Sequence, residues 1–371
     1  MNTYQVKIYL LMAVLPVSET IQIISHKGAY EVQFHSTIQE LASLLRNENY
    51  FFIVDEKVVQ IYNTFLNPIL NENNSIVLQA TEGNKSIENV IPIIEILVER
   101  NFRRNKILIA IGGGIIQDIV CFIASTIYRG VDWKYVPTTL LSQADSCIGS
   151  KSSINLGRVK NILGTFNPPS EVFISTEFLT SLHLNDLKSG IGEILKVCAI
   201  DSAETFNQLI NDYELLISNK SVLGKYIKKS LLIKQKFIEV DEFDKGIRNI
   251  FNYGHSFGHA IETVTDFKVP HGIAVSIGMD MANKIAVWRN FISQQDYQRM
   301  HQVLIKNYSQ YLPMIISQDA FFTVLAKDKK NTSNAFTFIL PDGSDCQIKK
   351  VQITPDESLK EQCNEFLKGL M

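Results

Sequence analysis

Three of the chain's seven histidines, His255, His259 and His271, fall inside one short segment, NYGHSFGHAIETVTDFKVPHG, residues 252–272. His255 and His259 are spaced i, i+4, so on a helix they share one face a turn apart. His271 stands between Pro270 and Gly272, at a loop-to-helix junction. The positive end of a helix disfavours imidazolium, which predicts a neutral ring fit to bind a metal. A metal site usually adds a carboxylate, and Glu193 in GIGEILKV is the best candidate. It sits mid-helix in an apolar setting, where an unpartnered carboxylate is costly to bury. Three protein ligands with one open position is the geometry of a catalytic zinc. The bland alternative is that histidines cap helices or fill polar gaps; three together among glycines weigh against it.

A second feature is the run IAIGGGIIQDIV, residues 109–120, with Gly112, Gly113 and Gly114 between an apolar strand and a helix. Glycines let the backbone approach a ligand closely, and the helix start offers N–H groups and a positive dipole end to phosphate. The spacing is not G-x-G-x-x-G, so it is not the usual dinucleotide fingerprint. Alone it reads equally as a nucleotide-phosphate site or a tight turn. Thr138 and Thr139 in VPTTLLSQADS end a strand, where open α/β sheets bind ligands, and this favours the nucleotide.

These residues need elements to hold them. YFFIVDEKVVQIY reads as a buried strand ending at Asp55 and turning into a helix; SIVLQA, KILIAI and WKYVPTT read as strands, and SIENVIPIIEILVER as an amphipathic helix. Strands alternating with helices predict a Rossmann-like parallel α/β domain over residues 1–178. From residue 179 to 371 the periodicity becomes helical, in NDLKSGIGEILKVCAI, SVLGKYIKKSLLIKQKFIEV, FGHAIETV, IAVSIGMDMANKIAVWRN and SLKEQCNEFLKGL. A mostly α-helical second domain carrying metal and substrate is expected there.

The bulk composition bounds the rest. At 371 residues the chain suits two domains, and 46% hydrophobic residues supply a sizeable core. A net charge of −2 gives no reason to expect nucleic acid or an anionic membrane as partner. The basic run RNFRRNK, residues 100–106, reads as a solvated turn before a strand. The five cysteines are scattered without C-x-x-C spacing, which fits a reducing cytoplasm rather than a disulfide framework. The apolar start has one Lys and no clear cleavage site, so it reads as a strand or a frayed extension, with Met12 as an alternative start. No stretch reaches the ~18 apolar residues a membrane span needs.

GGGIIQD, VPTTLLSQADSCIGSKSSIN, KNILGTFNPP, GEILK, GIRNIFNYGHSFGHAIE and HGIAVSIGM occur in this order. With them the chain resembles the 3-dehydroquinate synthases and, more broadly, the sugar phosphate cyclases, from about Glu82 to Lys330. The resemblance implies NAD in the N-terminal domain and a divalent metal, zinc or cobalt, in the cleft. It implies Glu193, His255 and His271 as metal ligands, with His259 facing substrate instead. It places NAD against Asp55, Glu82, Lys85, Gly113, Gly114, Asp118, Thr138 and Thr139. The substrate would meet Asp145, Lys151, Lys160, Asn161, Lys196, Lys234, Arg248, Asn252, His259 and Lys330, with Lys151 and Lys160 shared with the cofactor and Lys329 a rival to Lys330. Arg129 would cross a homodimer interface. The implied activity converts 3-deoxy-arabino-heptulosonate 7-phosphate to 3-dehydroquinate and phosphate, with NAD ending as it began.

The sequence also departs from the family pattern. GGKT is here GSKSS, Gly149–Ser153; His-Pro is Leu156-Gly157; a Tyr-Gly pair is Val197-Cys198; the Glu of HGE is Ile273; and an acidic position before Arg248 holds Asp244. Lys234, Arg248, Asn252 and His259 match positions used for an acidic substrate. The departures keep open a divergent cyclase acting on sedoheptulose 7-phosphate or glucose 6-phosphate. A metal-dependent polyol dehydrogenase shares the glycine turn but has no need of the Lys151, Lys160, Lys234 and Arg248 cluster.

Overall fold

The structure, a computed structural model, describes residues 19–157, 159–327, 331 and 335–371. A seven-stranded sheet runs in the order β1-β2-β9-β6-β5-β3-β4. Its strands are β1 (Thr20–Ser25), β2 (Gly28–Phe34), β3 (Tyr50–Asp55), β4 (Ser75–Leu78), β5 (Ile107–Gly112), β6 (Trp133–Pro137) and β9 (Glu171–Ile174). Between β6 and β9 a small antiparallel hairpin, β7 (Ile154–Leu156) and β8 (Val159–Leu163), stands apart from the sheet. β3, β5 and β6 pair in parallel, and β5 is flanked on both edges. That explains its uninterrupted apolar run: a central parallel strand is covered on both faces and has no polar side. Helix Gly114–Thr126 returns along the sheet, with Ile116, Ile119, Val120 and Ile123 buried.

The parallel order places the carboxyl ends of β3, β5 and β6 side by side, so Asp55, the Gly112–Gly114 turn and Thr138–Thr139 share one edge. The sheet is parallel as expected except at its border, where β1 pairs antiparallel with β2. Its alternating exposed and buried residues mark a one-sided edge strand.

Beyond β9 the chain becomes helical. Helix Leu184–Asp201 runs through the interior, with every residue from Lys188 to Ile200 buried. Helix His271–Trp288 is buried from Gly272 to Asn283. Helices this apolar on all sides belong in a core. One correction lies near the C-terminus, where β10 (Phe336–Asp342) and β11 (Gln347–Ile353) form an antiparallel hairpin inside the region read as helical. Its FTFIL run is buried throughout, and the PDG that follows is a turn signal that the helical reading did not absorb. The RNFRRNK stretch is a turn before β5, as expected, although Phe102 within it is fully buried. Residues 1–18 lie outside the described residues, and with them the choice of start. Among the described residues, no helix is long and apolar enough to cross a membrane.

Candidate active site

Close helix packing builds the cluster of histidines and Glu193. Gly192, immediately before Glu193, faces Gly272, next to His271. A Cβ on Gly192 would stand 2.0 Å from the Gly272 carbonyl oxygen, and one on Gly272 would stand 1.8 Å from that of Ser189. Only glycine permits this approach, which draws the Glu193 helix against the start of the His271 helix. Gly254, at φ +76°, begins helix His255–Val264 in a conformation that disfavours any side chain.

The result is convergence. Ring nitrogens of His255, His259 and His271 lie within 4.8 Å of one another. Glu193 Oε1 lies 3.2 Å from His271 Nε2 and 3.9 Å from His255 Nε2. Donor atoms sharing one ion at about 2.1 Å stand roughly 3–4 Å apart, so the set fits a divalent metal. Glu193 is 1% exposed, and no hydrogen bond reaches Oε1. Such an oxygen, deep in protein and facing two imidazoles, suits a cation.

Outer contacts orient the rings. His255 Nδ1 donates to the Tyr253 carbonyl at 3.2 Å, which leaves Nε2 with its lone pair toward the cluster. Burial and the nearby positive charge of Lys196 hold the His255 pKa well below its usual value. His271 Nδ1 faces both oxygens of Glu262 at 3.3 Å. Here two carboxylates act against the helix start. Burial does oppose the imidazolium, but Glu193 and Glu262 outweigh it and push the His271 pKa up to about 10. Two adjacent carboxylates dominate one partial helix charge. Glu262 is a residue the sequence reading missed. Its position, i+3 from His259 and i+7 from His255, puts it on the same helix face and was the available signal.

Beside this cluster lies a buried ion network. Lys196 Nζ is 2.5 Å from Glu193 Oε2 and 3.0 Å from Asp145 Oδ2, and Lys234 Nζ is 2.5 Å from Asp145 Oδ1. Burial would raise the Asp145 pKa, but Lys196 and Lys234 hold it below the usual carboxylate range. Burial lowers the Lys234 pKa, with Arg248 and Lys196 adding to the shift against Asp145. Asp145 sits on a wide π-helical turn, Ser142–Ser146, a geometry frequent at functional sites. Arg248 is buried; its Nη1 donates to the Glu242 carbonyl at 2.6 Å and its backbone N–H to Asp241. Lys151 pairs with Asp244.

On the sheet side, Lys85 Nζ bonds Asp118 Oδ2 at 3.0 Å and Asn161 Oδ1 at 2.9 Å. Burial raises the Asp118 pKa despite Lys85. Asn155, also missed from sequence, holds the Glu82 carboxylate at 2.9 Å. The Asp55 carboxylate caps helix Glu56–Ile61. A Cβ on Gly113 would come 3.0 Å from Thr139, whereas one on Gly114 would meet nothing nearer than 4.0 Å. Gly114 therefore opens onto free space at the helix start, a cradle that suits a phosphate.

One cleft of about 820 Å³ joins both sides. Glu82, Lys85, Gly114, Asp118 and Thr139 line its sheet side, Lys151, Lys160 and Asn161 a neighbouring wall, and Lys234, Arg248, His259 and His271 the helical side. Asn252 lies on the short helical turn Ile247–Asn252 with Arg248 and donates to the Asn249 carbonyl. Thr138 is buried behind the cleft wall. Arg129 is not among the lining residues; it faces a separate hollow of about 500 Å³ with Lys27 and Arg104. Lys329 and Lys330 lie outside the described residues.

Fold and cleft together define an enzyme architecture that pairs a nucleotide-type sheet with a His/carboxylate centre in a helical half. Comparison with known proteins narrows the class. Family models of the 3-dehydroquinate synthase N-terminal and C-terminal regions match residues 75–189 and 190–331. The 3-dehydroquinate synthase of Clostridium tetani is 36% identical over 317 residues, covering 85% of both chains. That of Streptococcus pyogenes serotype M5 is 34% identical over 336 residues, covering 87% of this chain and 92% of the relative. The chain belongs to the 3-dehydroquinate synthase family. Among solved structures, a 2-epi-5-epi-valiolone synthase from Streptomyces hygroscopicus with NAD+ and Zn2+ bound shares the fold at TM-score 0.80 and 24% identity, covering 92% of this chain and 96% of that one. A 2-deoxy-scyllo-inosose synthase does so at TM-score 0.79 and 23% identity, covering 94% and 100%. An iron-containing alcohol dehydrogenase shares the architecture at TM-score 0.63 and 15% identity, covering 95% and 99%.

Proposed function

We propose that this chain is a cyclase-type lyase that converts 3-deoxy-arabino-heptulosonate 7-phosphate to 3-dehydroquinate and phosphate, using NAD and a divalent metal. The observation that carries the reading is one cleft lined by His271, Lys151, Lys160, Lys234 and Arg248, with Glu193 and His255 packed behind His271 and the glycine turn on the other side. A polyol dehydrogenase with the same architecture has no use for this cation set.

Glu193, His255 and His271 would hold the metal, zinc or cobalt, and His259, exposed on the cleft, would face the substrate. Asp55, Glu82, Lys85, Gly113, Gly114, Asp118, Thr138 and Thr139 would hold NAD, in an N-terminal domain ending near residue 178. Held by these residues, NAD would supply reversible hydride acceptance and the metal ion a Lewis acid for neighbouring hydroxyls. The chain's own groups do the rest by positioning and charge. Arg248, buried with one terminal nitrogen committed to Glu242, can clamp the substrate carboxylate. Lys151, Lys160 and Asn161 meet the phosphate, with Lys330 as a further cation from the sequence resemblance. Asp145, kept ionised by Lys196 and Lys234, fixes both ammonium groups beside the reacting carbons. Asn252 lies on the same turn as Arg248.

The departures from the family pattern divide in two. Ser150, Val197, Cys198 and Ile273 are each at most 1% exposed and repack the core, whereas Ser153 bonds Asp118 and Lys85, and Asp244 pairs with Lys151, so the divergent-substrate alternative rests on these two. Lys151 and Gly149 still line the cleft.

Arg129 supports a homodimer, because it turns away from its own cleft through three successive left-handed residues, Tyr128, Arg129 and Gly130. Five buried free cysteines suit a reducing cytoplasm. The decisive experiment is phosphate release with NAD and zinc or cobalt on three separate substrates: 3-deoxy-arabino-heptulosonate 7-phosphate, sedoheptulose 7-phosphate and glucose 6-phosphate. Turnover of the first, with dehydroquinate formed and no net NADH, is the expected result. Turnover of another substrate alone, or accumulation of NADH, would overturn the assignment.

A further inference from the structure

The β7–β8 hairpin meets the loop between helices His255–Val264 and His271–Trp288 at the cleft. Lys160, on β8, places its ammonium 3.2 Å from the centroid of the Phe267 ring, and both residues line the cleft. Phe267 is 48% exposed, an uncommon setting for a phenyl ring beside so apolar a core. Its backbone is also unusual: Asp266 and Phe267 adopt φ of 53° and 56° in succession. A bulky residue in the left-handed region is strained, and such strain persists only where the surroundings enforce it, often at functional sites. The Phe267 N–H donates to the Glu262 carbonyl at 2.7 Å, which ties the turn to the helix carrying the histidines. The strained turn presents the ring to the ammonium.

We propose that Phe267 is a positioning residue that holds Lys160 ready for the substrate's phosphate. The inference rests on the reading of Lys160 as a phosphate-binding lysine. A lysine is a compact charge on a flexible stem, and ordering that stem on binding lowers affinity. An aromatic face attracts the ammonium and orders it in advance. The ring also carries no charge, so the lysine keeps its full attraction for phosphate. The neighbouring cations differ in this respect: Lys151 is paired with Asp244, and Lys234 with Asp145. The one carboxylate whose charge Lys160 influences nearby, Glu262, is turned toward His271.

The test is a double-mutant cycle of F267L and K160M on the NAD- and zinc-loaded enzyme. Its readouts are kcat and KM for the heptulosonate phosphate, calorimetric binding of inorganic phosphate, and zinc content. F267L should raise KM and weaken phosphate binding by about 3- to 20-fold, the range for a partly desolvated cation–π contact. It should keep its zinc and leave kcat little changed. F267Y, which retains the ring face, should behave as wild type, and F267L should add nothing in the K160M background. An effect of F267L that persists without Lys160, or that arrives with loss of zinc, would make Phe267 merely a loop-folding residue and overturn the proposal. An F267L variant indistinguishable from wild type, beside an impaired K160M, would overturn it alone. An unimpaired K160M would remove the phosphate role of Lys160 and this proposal with it.

Discussion

Glu262 presents both carboxylate oxygens to Nδ1 of His271 at 3.3 Å, while the opposite nitrogen of the same ring lies 3.2 Å from Glu193. The imidazole is thus gripped along its axis, with Glu262 setting its orientation from one side and Glu193 facing its other nitrogen. Glu262 accounts for how a histidine on a loop-to-helix junction acquires a fixed direction. A supporting carboxylate also raises the basicity of a ligating ring.

Replacing Glu262 with Gln should lower zinc affinity by ~10–100-fold, the usual effect of losing such a partner. Competition against a chromophoric chelator measures it. Unchanged affinity would show that Glu262 does not tune the centre.

His271→Ala should lose metal and activity together, since it removes one of the three proposed ligands. Elemental analysis of the purified variant checks this. Stoichiometric zinc retained in the variant would remove His271 from the ligand set and leave His259 as the candidate third ligand.

Arg248→Ala should raise KM for the carboxylate-bearing substrate by ~30-fold or more, because truncating a buried charge that pairs with another charge costs about 2–5 kcal/mol. Arg248→Lys should recover only part of this, since the ammonium cannot make the bidentate contact. Steady-state kinetics of both variants decide the matter, and an unaltered kcat/KM would remove the main argument for an acidic substrate.

Gly272→Ala tests the packing rather than the ligands. The added Cβ would stand 1.8 Å from the Ser189 carbonyl oxygen, so the two helices must separate. A loss of about 1–3 kcal/mol in stability is expected from such overpacking, with weakened metal binding although every ligand is intact. Thermal unfolding and zinc titration should move together; a change in neither would mean the helices part without consequence.

Away from the cleft, His301 Nδ1 lies 2.7 Å from the buried carboxylate of Asp280, which also accepts from Tyr308 at 2.5 Å. Tyr297 stacks on the ring, and Lys284 opposes its charge. The hydrogen bond to Asp280 raises the His301 pKa from its ordinary 6.5 despite burial. A raised folded-state pKa means that the bridge stabilises fully below the unfolded value and fades as pH climbs through the folded one. His301→Gln should therefore lose ~1–3 kcal/mol near pH 6. That deficit should shrink as the pH rises above 6.5, seen as converging melting temperatures. A deficit independent of pH would assign the effect to packing.

Much of this protein was legible in its sequence because short-range patterns carry it. The β5 strand and its glycine turn show as an apolar run followed by three glycines, and the i, i+4 spacing put His255 and His259 on one helix face. The ordered motifs, with Glu193 in GEILK, fixed the family. What the tertiary structure decided depends on groups far apart in the chain. The electrostatic setting of His271 depends on Glu193 and Glu262, on two other helices, which no local rule weighs. The burial of Val197, Cys198 and Ile273 in the core likewise emerges only when the helices pack together. Hairpins β7–β8 and β10–β11 are short pairings whose stability comes from what they pack against, so periodicity alone passed over them. The meeting of Lys160 with Phe267, 107 residues apart in sequence, exists only once both halves close on one cleft.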